Sequence, residues 1–132
     1  LVVNGEPAPR AFILVVEDSP ANQMLIQFTL ESSGYHVDLA GSAGEALASI
    51  ERRQPDLILM DIQLPGQDGL SLTRQLKADP AMMAIPVVAL TARAMVGDRE
   101  LCLAAGCSGY ISKPIDTRAI ADEIALFLSP AK

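Results

Sequence analysis

Five side chains in this sequence have the types and the placement to handle a phosphoryl group. Glu17 and Asp18 stand side by side after one apolar run, Asp61 follows another, Thr91 a third and Lys113 a fourth. Three carboxylates brought together repel, so some must take up a proton or a cation must neutralise them. Ligands that are all oxygen select a hard cation, and a site with few protein ligands suits Mg²⁺, which keeps several of its waters. The metal and Lys113 would neutralise phosphoryl oxygens, the Thr91 hydroxyl would donate a hydrogen bond, and a carboxylate would serve as nucleophile. Asp61 is the best nucleophile candidate. It ends the central apolar run, and the loop Ile62-Gln63-Leu64-Pro65-Gly66 behind it leaves it open.

Taken singly, these residues have plainer readings. Glu17-Asp18 would cap a helix starting near Pro20, Thr91 would cap another, and a Lys before Pro is usually solvated. What outweighs these readings is that matching residues leave four different strands at the same edge. Ligands in open parallel sheets bind at the carboxyl ends of the strands, where the order of the strands reverses.

The elements that position them alternate along the chain. Short aliphatic runs at Phe12–Val16, Val37–Leu39, Leu57–Met60, Val87–Leu90 and Tyr110–Ile111 read as strands. Between them lie stretches with helical spacing. Pro20–Ser33 aligns Ala21, Leu25 and Phe28 and stops at Gly34. Ala43, Ala46, Leu47 and Ile50 share a face opened by a capping box, Ser42 with Glu45. A third helix runs from Gly69 through Leu72, Thr73 and Leu76, and a fourth spans Val96–Ala105. The last carries Ile120, Ile124, Phe127 and Leu128 on one face, with Asp116 as its N-cap. Strands alternating with helices must run parallel, because parallel neighbours need a crossover. Near-continuous apolar strands mean helices on both faces. The fold class is therefore α/β, a doubly wound five-stranded parallel sheet.

Composition narrows the function. The chain has 132 residues, half of them hydrophobic and a fifth charged, which suits one folded domain. Its formal charge of −6 argues against direct nucleic-acid binding and suits a cation. No apolar run approaches the roughly 18 residues of a membrane span, and no signal peptide is expected, so a cytoplasmic location follows. Cys102 and Cys107 read as reduced small hydrophobes. Residues 1–10, with Pro7, Pro9 and an Asn-Gly pair, read as an arm or linker before a domain at 11–130.

With these segments in view, the sequence resembles the receiver domain of two-component response regulators, over residues 11 to 130. Ile13–Pro20 looks like the family's acidic-pair segment, and Leu57–Gly69 looks like its phosphoacceptor segment. Ala89-Leu90-Thr91-Ala92 and Tyr110-Ile111-Ser112-Lys113-Pro114 look like its switch and lysine segments. The resemblance implies a flavodoxin-like fold with strand order 2-1-3-4-5. It implies that Asp61 takes a phosphoryl group from a histidine, supplied by a histidine kinase or a histidine phosphotransfer domain. It implies that Mg²⁺ or Mn²⁺ is bound directly by Asp18, Asp61 and the Gln63 backbone carbonyl, with Glu17 acting through water. Lys113 would contact the phosphoryl oxygens across a cis bond to Pro114, Thr91 would turn toward them, and Tyr110 would move with it. Gln63 and Arg93 stand where the family tunes hydrolysis of the aspartyl phosphate, and Arg93 would either hinder the attacking water or simply be solvated. The segments Glu17–Gln23 and Ala94–Glu100 look like those of hybrid histidine kinases and stand-alone phosphorelay regulators, and the non-Met start favours a piece of a hybrid kinase.

The chain would thus be a signalling switch rather than an enzyme. A phosphorylation-independent docking module is the alternative, and the presence of all the expected site residues argues against it. A phosphatase with an Asp nucleophile would need a second acid two residues on, where Gln63 stands. A flavodoxin would need a hydroxyl-rich loop after the first strand, where Glu17 and Asp18 stand.

Overall fold

Each apolar run becomes a strand: β1 is Phe12–Val16, β2 His36–Ala40, β3 Leu57–Asp61, β4 Val87–Thr91 and β5 Gly109–Ser112. The helices between and after them are α1 Pro20–Ser32, α2 Ala43–Arg52, α3 Gly69–Lys77, α4 Val96–Ala105 and α5 Ile120–Leu128. This is a computed structural model, and it describes residues 2–3, 6–7, 11–62, 69–91 and 96–128. Ahead of β1, Val2–Val3 pairs antiparallel with Glu6–Pro7 in a short ribbon. The five main strands are all parallel, in the order β2-β1-β3-β4-β5. The order reverses between β1 and β3, the switch point at which such sheets bind ligands.

Alternate residues along a strand point to opposite faces, so each buried strand feeds two cores. Ile13, Val15, Leu57, Leu59, Val88 and Leu90 pack with Ile26 and Leu30 of α1 and Ile120 and Ile124 of α5. Leu14, Val16, Ile58, Met60, Val87 and Ala89 pack with residues of α2, α3 and α4. β1, β3 and β4 are buried along their whole length, which fixes where each strand ends and hence where its polar terminal residue emerges.

Local signals set the ends of the helices, with four departures from expectation. α1 is capped by Ser19, whose hydroxyl accepts the Asn22 N–H at 3.4 Å ahead of Pro20 in the first turn, so Glu17 and Asp18 are not needed as caps. In α1 the buried residues are Ile26 and Leu30, while Leu25 and Phe28 of the expected stripe face solvent. α5 begins at Ile120, and Asp116 instead opens the turn before it, accepting the Arg118 N–H at 2.9 Å. The expected capping box at α2 is present in variant form. Ser42 accepts the Glu45 N–H at 3.2 Å, and Glu45 reaches back to the N–H of Gly41, at 2.7 Å, rather than that of Ser42.

α4 ends in a Schellman turn. Gly106, at φ +109°, donates to Leu103 O at 3.1 Å, and Cys107 donates to Cys102 O at 3.0 Å. The two cysteines, both buried and neither in a disulfide, are thus the apolar pair that such a turn brings together.

Candidate functional site

The carboxyl edge of the sheet collects the residues singled out in the sequence. Glu17 follows β1 directly and is fully buried, its N–H bonded to Ala40 O at 2.9 Å. Asp61 is the last residue of β3 and is 3% exposed. Thr91 ends β4 and is also buried. Its carbonyl accepts the Lys113 N–H at 2.7 Å, a ladder bond that carries Lys113 off β5 beside β4. The peptide between Lys113 and Pro114 is cis, as the resemblance implies.

Lys113 joins two strands. Its ammonium lies 3.0 Å from Glu17 Oε1 and 3.3 Å from Asp61 Oδ2. Burial works to lower the Lys113 pKa, but the hydrogen bond to Glu17 and the charges of Asp61 and Glu17 outweigh it and hold the ammonium above its ordinary value. Glu17 Oε2 accepts the Ser19 N–H at 3.1 Å. Glu17 Oε1 is buried and lacks an aligned hydrogen bond, although the ammonium stands close enough to pair with it. The ion pair is the contact that matters there, since a charge-to-charge attraction tolerates poor hydrogen-bond angles.

Asp18 is exposed, unlike Glu17 and Asp61. One oxygen from each of these three carboxylates lies within 4.8 Å of the others. Among the described residues, three carboxylates gather about one ammonium. An all-oxygen donor set, an open carboxylate at the mouth and a buried oxygen without an aligned donor fit a hard divalent cation with its waters. Tyr110, on β5, is half-buried and packs against the core beneath α2, α3 and α4. Gln63, whose carbonyl is the fourth expected ligand, and Arg93 lie outside the described residues.

Three supports of the site were not foreseen. Ser19 holds Glu17 as well as capping α1. Gln23 donates to the Glu17 carbonyl at 2.6 Å. Gly69 packs onto the end of β3, where an added Cβ would overlap the Asp61 carbonyl and stand 2.7 Å from Ile62 Cα. The Ser-Pro pair and the Asp68-Gly69 pair were the available signals, one for a cap and one for a close approach. Beside the pocket, Asn22, Leu25, Lys113, Pro114 and Ile115 line a groove of about 390 Å³. Met24 and Phe28 of α1 are 70% and 74% exposed.

A doubly wound sheet with an acidic pocket at its switch point and a lysine between two of the carboxylates defines a class. The chain belongs to the response regulator receiver domain family, whose model matches residues 13–125. It is 44% identical over 119 residues to the polar-differentiation response regulator DivK of Brucella ovis, covering 90% of this chain and 97% of that protein. Among solved structures it is similar to the receiver domain of sensor histidine kinase PA1611 from Pseudomonas aeruginosa, described with a magnesium ion in its active-site cleft. That match has 41% identity and a TM-score of 0.83, covering 93% of this chain and all of the other. A putative response regulator from Chloroflexus aurantiacus matches with a TM-score of 0.87 at 28% identity, covering 93% of this chain and all of that one. No helix among the described residues is long and apolar enough to cross a membrane.

Proposed function

We propose that Asp61 accepts a phosphoryl group from a phosphohistidine on a histidine kinase or histidine phosphotransfer protein, with Mg²⁺ at the acidic pocket. The observation that carries this reading is the Lys113 ammonium, held 3.0 Å from Glu17 and 3.3 Å from the buried Asp61. A cation fixed at that place is poised to meet the equatorial oxygens of a phosphoryl group arriving at Asp61.

In the transfer, an Asp61 carboxylate oxygen bonds to phosphorus while the phosphorus–nitrogen bond to the donor imidazole breaks. The imidazole leaves with the bonding pair and takes a proton from solvent. Asp18, Asp61 and the Gln63 carbonyl would hold the metal, with Glu17 acting through water. When bound, the ion supplies neutralisation of phosphoryl charge. Lys113 shifts its contact from the Asp61 carboxylate to the phosphoryl oxygens. Thr91, on the neighbouring strand, donates its hydroxyl to them, and Tyr110 follows. The exposed Met24, Leu25 and Phe28 offer the donor an apolar surface beside the pocket. The added charge of about −1.5 to −2 biases the two states of the β4–α4–β5 face, by analogy with other phosphoresidues.

Incubation with acetyl phosphate and Mg²⁺ should add one phosphoryl mass to the intact protein. The gain should vanish with EDTA and in Asp61→Asn. An unmodified wild-type protein would sink the reading and leave the phosphorylation-independent docking module in its place.

A further inference from the structure

The three carboxylates of the pocket are not held equally. Glu17 is fixed at four points: its N–H by Ala40 O at 2.9 Å, its carboxylate by Ser19 N–H at 3.1 Å and Lys113 at 3.0 Å, and its carbonyl by the Gln23 amide at 2.6 Å. Asp61 is buried within its strand end and paired with Lys113. Asp18 is exposed, and among the described residues no hydrogen bond to its carboxylate is found. Among those residues, only the backbone governs where its carboxylate departs.

Within the described residues, the Glu17–Asp18 peptide itself is braced by a side chain of α1. The Glu17 carbonyl belongs to the peptide plane joining Glu17 to Asp18, so the bond from Gln23 restrains the rotation of that plane and with it the position of the Asp18 Cα from which the carboxylate departs. Gln23 is the fourth residue of α1, a helix anchored by its own Ser19 cap and by Ile26 and Leu30 in the core. Its amide also approaches Gly41 of the β2–α2 loop, where an added Cβ would stand 3.7 Å from Gln23 Nε2. A neutral side chain on a rigid helix thus reaches back past the cap to the peptide that aims an otherwise unsupported ligand.

We infer that Gln23 is a positioning residue for divalent-cation binding, acting on Asp18 through the Glu17–Asp18 peptide. The inference rests on the metal site proposed above. It predicts an effect on metal affinity in the resting protein, before any phosphoryl transfer. Removal of a supporting partner of a metal ligand typically costs about 10-fold or more in affinity.

The test is Mn²⁺ binding to the full chain followed by electron paramagnetic resonance, with Mg²⁺ competing, on wild type, Gln23→Met, Gln23→Glu and Thr29→Ala. Gln23→Met keeps the length of the side chain and loses the donor. It should bind about 10-fold more weakly while still folded, as read by circular dichroism at the binding temperature, and excess Mg²⁺ should recover the acetyl-phosphate rate. Gln23→Glu adds negative charge, which by charge alone would tighten cation binding; loss of the brace should make binding weaker instead. Thr29→Ala, on the same helix but away from the loop, should bind as wild type. Wild-type affinity in Gln23→Met, tighter binding in Gln23→Glu, or weakening in Thr29→Ala that tracks Tm would each overturn the inference. If wild type itself binds no cation, the metal site fails first and the inference falls with it.

Discussion

At the carboxyl ends of the strands, Glu17, Asp61 and Lys113 are brought together out of water, and among the described residues three carboxylates gather about that one ammonium. At the amino ends, the same residue types settle their needs locally. Asp56 accepts the Phe12 N–H at 2.8 Å, and Arg53 lies 4.3 Å above the Phe12 ring. That end also has a groove, of about 580 Å³, lined by residues including Glu31, His36, Asp38 and Arg53. It is larger than the groove beside Lys113, yet its charged groups are mostly exposed, and hydration answers them. The difference teaches that void volume does not locate chemistry here. Charge withdrawn from water and gathered at one edge is the better guide, because such an arrangement lowers stability and clusters at functional sites.

The contrast can be broken by mutation. Lys113→Ala leaves Glu17 and Asp61 buried without their counter-charge and should cost roughly 3 kcal/mol in urea denaturation with EDTA, with Mg²⁺ recovering part of the loss. Gly69→Ala forces a methyl into the Asp61 carbonyl and should cost roughly 2 kcal/mol by the same measurement, with slower phosphoryl incorporation. Asp56→Ala, at the quiet end, removes the Phe12 acceptor and should cost about 1.5 kcal/mol. That loss should not respond to Mg²⁺. Equal rescue of Lys113→Ala and Asp56→Ala by the metal would erase the distinction between the ends.

The smallest effect concerns Cys107, which leads into β5 at the amino edge. Burial, with a further contribution from Cys102, pushes its thiol up from 9.0 to about 11. The folded state therefore keeps a proton that the unfolded chain sheds, and the thiol's contribution to stability is complete below pH 9 and lost as pH rises toward 11. Relative to Cys107→Ala, wild type should lose about 1 kcal/mol between pH 8 and pH 10 in denaturant titrations. A flat difference would show that this end is not shielded from solvent.

The strand–helix order was legible because β1, β3 and β4 are buried on both faces and so read as unbroken aliphatic runs. The site types were legible because residues leaving such strands converge at one edge. α1 departs from its expected stripe for a physical reason. It carries two apolar stripes, Ile26 with Leu30 toward the core and Leu25 with Phe28 toward solvent, and periodicity alone does not tell them apart. Ser19, Gln23 and Gly69 escaped notice as supports because they act on backbone atoms. A carbonyl to be braced or a close approach to be permitted leaves little trace in the side-chain pattern. The cation's fourth expected contact, the Gln63 carbonyl, lies outside the described residues.

One ammonium serving two carboxylates makes the ends of β1 and β3 mutually dependent. Lys113 pairs with both at once, so Glu17 Oε1 and Asp61 Oδ2 feel the same positive charge. Whatever claims that nitrogen at Asp61 changes the electrostatic surroundings of Glu17, a residue wired through Ser19 and Gln23 into the first turn of α1. The resting pocket is thus a tug of war already in progress, in which a new anion on one side is felt at once on the other.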